Sequence, residues 1–418
     1  MLSEFANVIK VPELRSKVTF TLVMFALFRL GAHIPVPGVN PEVIEQLFNS
    51  GSLFGLLDMF SGGALSKFSI FAMSITPYIN ASIILQLLKV VIPTLEQWSK
   101  EGEEGFKKTN RLTRQFTVAL CFVQAFGMAY GLRMAINNPG IHSMLLIAIT
   151  LTAGSMLLMW IGEQMTAKGI GNGISLIIFA GIVSRVPDGV RVIFQYLNAG
   201  TVNLVNVILF AVIALAIIVF VVMITQGVRR IPIQYAKRVV GHKTYGGSTS
   251  YLPLKVNQAG VMPIIFASSV LMFPSTIAQF VDIPAVKAFA DYFRWGSPVQ
   301  TTLYVLFIVF FTYFYTAVSL NIGDLSENLK KNGGFVPGIR PGKPTNDYLD
   351  GVMSRITLAG AMFLAIIALM PNVIGWITNI EGIYFGGTAL LIVVGVALDT
   401  LRQAEGMVIM KHYHGFMK

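Results

Sequence analysis

The chain has 418 residues, 54% of them hydrophobic and only 12% charged, with a mean hydropathy of +0.69. Apolar runs of about 18 residues recur along its whole length, which excludes a soluble or singly anchored domain and points to a polytopic helical membrane protein. Barrel strands would alternate apolar and polar residues, and these runs do not. The single cysteine, Cys121, leaves no intrachain disulfide to form.

Residues 1–17 carry Lys10, Arg15 and Lys17 beside Phe5, Val8 and Ile9. No small-residue cleavage site follows the first apolar run, which leads instead into Pro35-Val36-Pro37-Gly38. The expectation is a retained amphipathic segment on the cytoplasmic surface. The stretch after the first span is unusual. Residues 52–60 (SLFGLLDMF) form an apolar stub followed at once by Ser61-Gly62-Gly63. Nine helical residues cover roughly 14 Å, less than half of a hydrocarbon core of about 30 Å. Backbone at membrane depth that does not span is tolerated only inside protein or lining a cavity, so the stub implies a cavity. Residues 68–92 are long enough to cross, with Pro77 in mid-span and Ile75, Ile79 and Ile83 on one helical face.

Ten spans are predicted: 18–34, 68–92, 116–136, 141–161, 174–190, 204–225, 256–280, 301–322, 356–372 and 383–398. The basic residues of the connections alternate between sides. Five lie between the second and third spans (Lys100, Lys107, Lys108, Arg111, Arg114), and six between the sixth and seventh (Arg229, Arg230, Lys237, Arg238, Lys243, Lys255). Five follow the eighth span (Lys330, Lys331, Arg340, Lys343, Arg355), three lie in the tail, and residues 371–382 have none. Both termini are therefore expected in the cytoplasm. The even span count agrees. A division at the long sixth-to-seventh connection predicts an all-α polytopic fold of two inverted five-helix halves around a central pore. The boundaries are 18–198, including the stub at 52–63, and 199–398, with a cytoplasmic tail at 399–418.

Two cytoplasmic loops, 226–255 and 323–355, exceed what orientation requires. Alternation in Arg230-Ile231-Pro232-Ile233-Gln234-Tyr235 predicts a β-hairpin arm, with a turn at Tyr245-Gly246-Gly247-Ser248. In the second loop, residues 324–331 read as a helix, and residues 333–342 as a rigid bend. Such basic, shape-holding loops suit docking onto an anionic partner such as ribosomal RNA or an acidic protein face, where plain solvated turns would need none of this.

Enzyme chemistry finds no footing. Gly169-Ile170-Gly171-Asn172-Gly173 misplaces the third glycine of a dinucleotide fingerprint, and a membrane span follows it; it reads as a tight cytoplasmic turn using left-handed backbone. P-loop, zinc-protease and CxxC patterns are missing from the sequence, and His412 with His414 has no acidic or cysteine company. Ion-coupled transport needs ionisable groups deep in the membrane. Here Arg29, Lys89, Arg133 and Arg185 sit toward span ends, where snorkelling accounts for them. What the spans offer is isoleucine: Ile75 and Ile79 around Pro77; Ile174, Ile178 and Ile182 on one face; Ile264 and Ile265 after Pro263; and Ile392. Any one alone is a packing or lipid-facing residue. As a set around a pore, they would seal by dewetting and grip nothing.

The chain resembles the SecY family, the central subunit of the protein-conducting channel. The likeness runs almost end to end, through GSLFGLLDMFSGGALSKFSIFAMSITPYINASIILQLL, AKGIGNGISLIIFAGIV, RRIPIQYAKRVVG, YLPLKVNQAGVMPIIFASS, FVPGIRPG and GGTALLIVVGVALD. The resemblance implies a pore ring of Ile75, Ile79, Ile178, Ile182, Ile265 and Ile392. It implies a plug from Ser52, Leu53, Phe54, Leu56, Leu57, Met59, Phe60, Gly62 and Gly63. A lateral gate would carry Gln86, Asn257 and Gln258 and open between the second and third spans and the seventh and eighth. Arg229, Arg230, Lys237, Arg238 and Arg340 would dock the SecA motor ATPase or the ribosome. SecE and SecG subunits, signal peptides, nascent chains and membrane lipids are the other partners implied. No cofactor is expected, and the location implied is the bacterial plasma membrane. Residues 242–251 depart from the family's arm tip, which leaves the tip's own contacts open. The rival readings are a secondary transporter of a small apolar or amphipathic solute, and an insertase or scaffold without a pore.

Overall fold

Chains this apolar can satisfy their backbone in lipid only by coiling it, and each of the ten predicted spans overlaps a helix in the computed structural model. The structure describes residues 12–40, 43–44, 58, 61–235, 238–240, 243–245, 249–280, 292, 297–378 and 387–415. The helices are α1 (Pro12–Gly31), α2 (Thr76–Val91), α3 (Pro93–Lys100), α4 (Glu103–Gly131), α5 (Ile141–Lys168), α6 (Gly173–Ser184), α7 (Val186–Asn198) and α8 (Leu204–Gln226). After the arm come α9 (Met262–Phe280), α10 (Pro298–Ser319), α11 (Ile322–Lys331), α12 (Lys343–Thr378) and α13 (Gly387–Gly415). By length and composition, Ile141–Lys168, Leu204–Gln226, Pro298–Lys331 and Lys343–Gly375 can cross a bilayer, and the pair Thr76–Val91 with Pro93–Ser99, bent by 105°, makes a fifth if the two helices are one broken span.

Proline placement corrects two predicted spans. Residues 68–75 are not helical, and Pro77 lies in the first turn of α2, not at mid-span. Proline lacks the N–H that an interior turn needs but suits a first turn, where that donor has no intrahelical partner. Upstream, Phe68 and Ser74 take positive φ (42° and 52°), which breaks any helix. This irregular stretch is mostly buried and bonded: Val36 N donates to Phe68 O (3.0 Å) and Ile70 N to Ile34 O (3.0 Å). The fifth predicted span likewise stops at Ser184, and Pro187 starts the separate helix α7. By contrast, Pro371 is carried inside α12, which continues past the predicted end to Thr378.

Helices α2, α4 and α5 pack together, as do α9, α10 and α12. The two groups meet where α9 touches α2 and α4, and where α6 lies against α13. Gly171 takes φ +79°, the left-handed conformation expected of the turn before α6, and Asn172 caps that helix by accepting from Ile174 N and Ser175 N. Helix α13 continues to Gly415, and its Ala404 packs with Leu14 of α1 and Ile170.

The two long loops form one body. Strands β1 (Val228–Tyr235) and β4 (Thr249–Lys255) pair antiparallel, and β5 (Gly334–Phe335) joins β1 through Gln234↔Phe335 and Tyr235↔Gly334. Alternation along β1 buries Ile231 and Ile233 onto Leu254, Leu329, Val336, Leu349 and Met353, with Arg230, Pro232 and Gln234 left outside. The short strands β2 (Arg238–Val240) and β3 (Lys243–Tyr245) pair as Val240↔Lys243. Of the predicted turn at 245–248, residues 246–248 lie outside the described residues.

Candidate functional site: an apolar waist and its fastenings

The six isoleucines of the implied ring arrive from different parts of the chain: Ile75 just before α2, Ile79 on α2, Ile178 and Ile182 on α6, Ile265 on α9, and Ile392 on α13. All belong to one apolar cluster that also holds Ile264; Ile79 is half-buried against it and the others are buried. Branched aliphatic side chains from both helix groups thus share one apolar cluster. Next to them, a cavity of about 250 Å³ is lined by Asn172, Ser175, Asn257, Gln258, Leu391 and Thr400, among others. A cavity of mixed polar and apolar lining beside an apolar cluster can hold water on one side while leaving it no polar foothold in the cluster.

Asn257 and Gln258 stand in the wall of that cavity. Asn257 is buried, and its Oδ1 has no hydrogen-bond partner among the described residues. Gln86, the third residue implied at the gate, does not join them; its Nε2 donates to Ser82 Oγ (3.4 Å) on its own helix. Gly360 of α12 sits so close beneath Val256 that an added Cβ would lie 2.7 Å from the Val256 carbonyl, which fixes the segment leading from the arm into α9.

The other side of the waist is fastened by charge. Of the implied plug residues, Ser52, Leu53, Phe54, Leu56, Leu57, Met59 and Phe60 lie outside the described residues, but the segment's C-terminal end is well tied. Asp58 is 2% exposed and ion-paired with Arg185. Its Oδ1 also accepts from Ser66 N (2.8 Å) and Ser61 Oγ (3.3 Å). Arg185 Nη2 donates to Ser66 Oγ (3.3 Å), and Arg29 Nη1 donates to the Gly62 carbonyl (2.7 Å) and Ser184 Oγ (3.2 Å). Gly62 (φ +67°) and Gly63 (φ +86°) make the turn, and a Cβ on Gly62 would stand 2.9 Å from Gly181 Cα. Arg29 and Arg185 are therefore not snorkelling residues. Their span-end positions suggested lipid headgroups, and nothing local in the sequence links Arg185 to Asp58 or Arg29 to Gly62. Arg133 lies 5.6 Å from the Tyr130 ring centroid.

On the body built by the two loops, Arg229, Arg230 and Arg340 are exposed, and the Arg340 carbonyl accepts from Thr345 Oγ1 (2.8 Å) at the start of α12. Arg238 lies on β2, while Lys237 and the Arg238 side chain are outside the described residues. The side chains of His412 and His414 are outside them too, and no metal-holding cluster exists among the described residues.

Fold and site together define a helical membrane protein whose two helix groups share an apolar cluster, with a cavity near the start of α6 and a charged fastening at its end. The SecY family profile matches residues 69–401, and the chain belongs to the SecY family. It is 47% identical over 431 residues to the protein translocase subunit SecY of Halalkalibacterium halodurans, with all of both chains covered. It is 46% identical to that of Aquifex aeolicus, again with both chains fully covered, and 44% identical to that of Thermotoga maritima, covering all of this chain and 98% of the relative. Among solved structures, a protein-conducting channel superposes with a TM-score of 0.63 at 18% identity, covering 93% of this chain and 91% of the other. Sec61 from the canine ribosome–channel complex gives 0.63 at 17% identity with the same coverage. These distant structures share the fold. None of the matches supports a small-solute transporter.

Proposed function

We propose that this chain is a passive, gated channel that moves unfolded secretory polypeptides across the bacterial plasma membrane and releases transmembrane segments sideways into lipid. The observation that carries the reading is that Ile75, Ile79, Ile178, Ile182, Ile265 and Ile392, from both helix groups, share one apolar cluster beside a cavity lined in part by Asn257 and Gln258. Residues 18–198 and 199–398 are the two halves that part. Residues 52–63 stopper the waist, held through Asp58, Gly62 and Gly63. Asn257 and Gln258, with Gln86 across the seam, line the gate between α2–α4 and α9–α10. A signal sequence that prefers the opened seam to the closed one shifts the population toward it. The chain is no enzyme on this reading, so a cytoplasmic motor such as SecA or a translating ribosome supplies the energy, and SecE and SecG brace the bundle.

Both termini face the cytoplasm. The platform built by the two basic loops then meets the motor or the ribosome through Arg229, Arg230, Lys237, Arg238 and Arg340. Solved relatives of this fold include ribosome-bound Sec61 and yeast Ssh1, which supports the ribosome as a partner. The test is a photo-independent crosslink: with Ile79→Cys in a Cys121→Ala background, a stalled secretory chain carrying one cysteine should form a disulfide to position 79. Failure there, alongside successful crosslinking to a lipid-facing control such as Leu215→Cys, would remove the central path.

A further inference from the structure

Helix α7 has no place in the account so far. It holds Val186, Val190, Ile193, Phe194 and Leu197 on one face and Asp188, Arg191, Gln195 and Asn198 on the other. None of its residues is buried, and Phe194 is 60% exposed and Val190 46%. Such a face has no reason to form unless something apolar covers it.

The neighbouring elements say what that is. A single residue, Arg185, separates α7 from α6. At the other end five residues lead into α8, and they are folded back tightly: Gly200 (φ +69°) N donates to Leu197 O (3.2 Å), Thr201 N to Tyr196 O (3.2 Å), and Thr201 Oγ1 to the same carbonyl (3.1 Å). Even fully extended, five residues reach only about 17 Å. Helix α8 is 23 residues long, about 35 Å, with only Ile217 and Val221 buried, so its surface is lipid-facing from its first turn, where Leu204 and Val205 are exposed. The C-terminal end of α7 is thus tethered within about 17 Å of the level at which the lipid-facing surface begins.

We propose that α7 is an interfacial helix whose Val186–Val190–Phe194 face is seated at the boundary between headgroups and acyl chains of the non-cytoplasmic leaflet. Its only charges, Asp188 and Arg191, cancel and lie 3.9 Å apart on the polar face. The seat is therefore built on apolar contact and is indifferent to anionic lipid, unlike a basic surface helix. The inference needs α8 to span the membrane but not that a polypeptide passes between the halves, so it stands or falls separately from the channel reading.

The experiment uses the full chain with Cys121→Ala, labelled with an environment-sensitive fluorophore at Val190→Cys or Gln195→Cys and reconstituted in phosphatidylethanolamine–phosphatidylglycerol vesicles. A nitroxide placed high on the lipid acyl chain should quench position 190 several-fold more than position 195, and aqueous iodide should do the reverse. Replacing phosphatidylglycerol by phosphatidylcholine should leave that ratio unchanged. Adding Phe194→Asp should move the label at 190 toward the iodide-accessible state. Equal iodide access at both positions would overturn the proposal, as would protection of position 190 from both quenchers, which would mean that a second protein surface covers the face.

Discussion

Replacing Arg185 by glutamine should unfasten the segment that stoppers the waist. Asp58 would keep its two local bonds, from Ser66 N and Ser61 Oγ, and lose its only ionic partner among the described residues while remaining 2% exposed. Breaking a buried ion pair by removing one partner costs about 3–5 kcal/mol, because a buried charge is left uncompensated. The lower end applies here, since the Arg185 side chain is 29% exposed and water already screens part of the attraction. The reciprocal change, Asp58→Asn, should cost less, about 1–3 kcal/mol. It leaves a guanidinium that still reaches water and Asp188 (3.3 Å). The double variant should therefore be more stable than the two losses added together, by about 2 kcal/mol of coupling. A loss of 3 kcal/mol in the closed state shifts its population about 150-fold. The assay pairs ion leak through reconstituted idle channels with thermal unfolding of the same samples. Leak should rise strongly in Arg185→Gln, less in Asp58→Asn, and fall back toward the Asp58→Asn level in the double variant. Strictly additive unfolding losses, or an idle leak unchanged in all three, would refute the fastening.

Further outcomes follow from the same structure. Ile182→Asn places an amide without partners in the apolar cluster, at about 1–3 kcal/mol, and should both leak ions and pass secretory proteins with defective signals, measured by conductance and export. Gly62→Ala forces a side chain into positive φ against Gly181 and should lower the melting temperature well beyond Gly38→Ala, where φ is also positive (+85°) but nothing lies within 4 Å. Ile233→Ala should cost about 2–5 kcal/mol within the platform and raise hydrogen exchange in both loops together, since β5 and β4 share β1. Arg340→Glu, at an exposed site, should leave stability unchanged and cut motor-driven export; equal export would dismiss the platform as a docking surface.

Hydropathy and short-period patterning were enough to establish the membrane class, a helix at every predicted span, the hairpin arm and the left-handed glycine turn before α6, because those features are set by residues next to one another along the chain. Alternation at Ile231 and Ile233 even marked which side of β1 would be covered, though not that α11, β5 and α12 would cover it. Whether Pro77 sits inside a helix or opens one was a different matter. It depended on Phe68 and Ser74 taking positive φ within a buried strand-like contact to residues 34–36, which no window around the proline contains. Arg185 and Ser66 are 119 positions apart, and an arginine at a span end has the same local surroundings whether it meets lipid or a buried carboxylate. Burial, and with it the worth of a charge, is a property of the assembled bundle; only the tertiary structure could turn two ordinary span-end arginines into the fastenings of the waist.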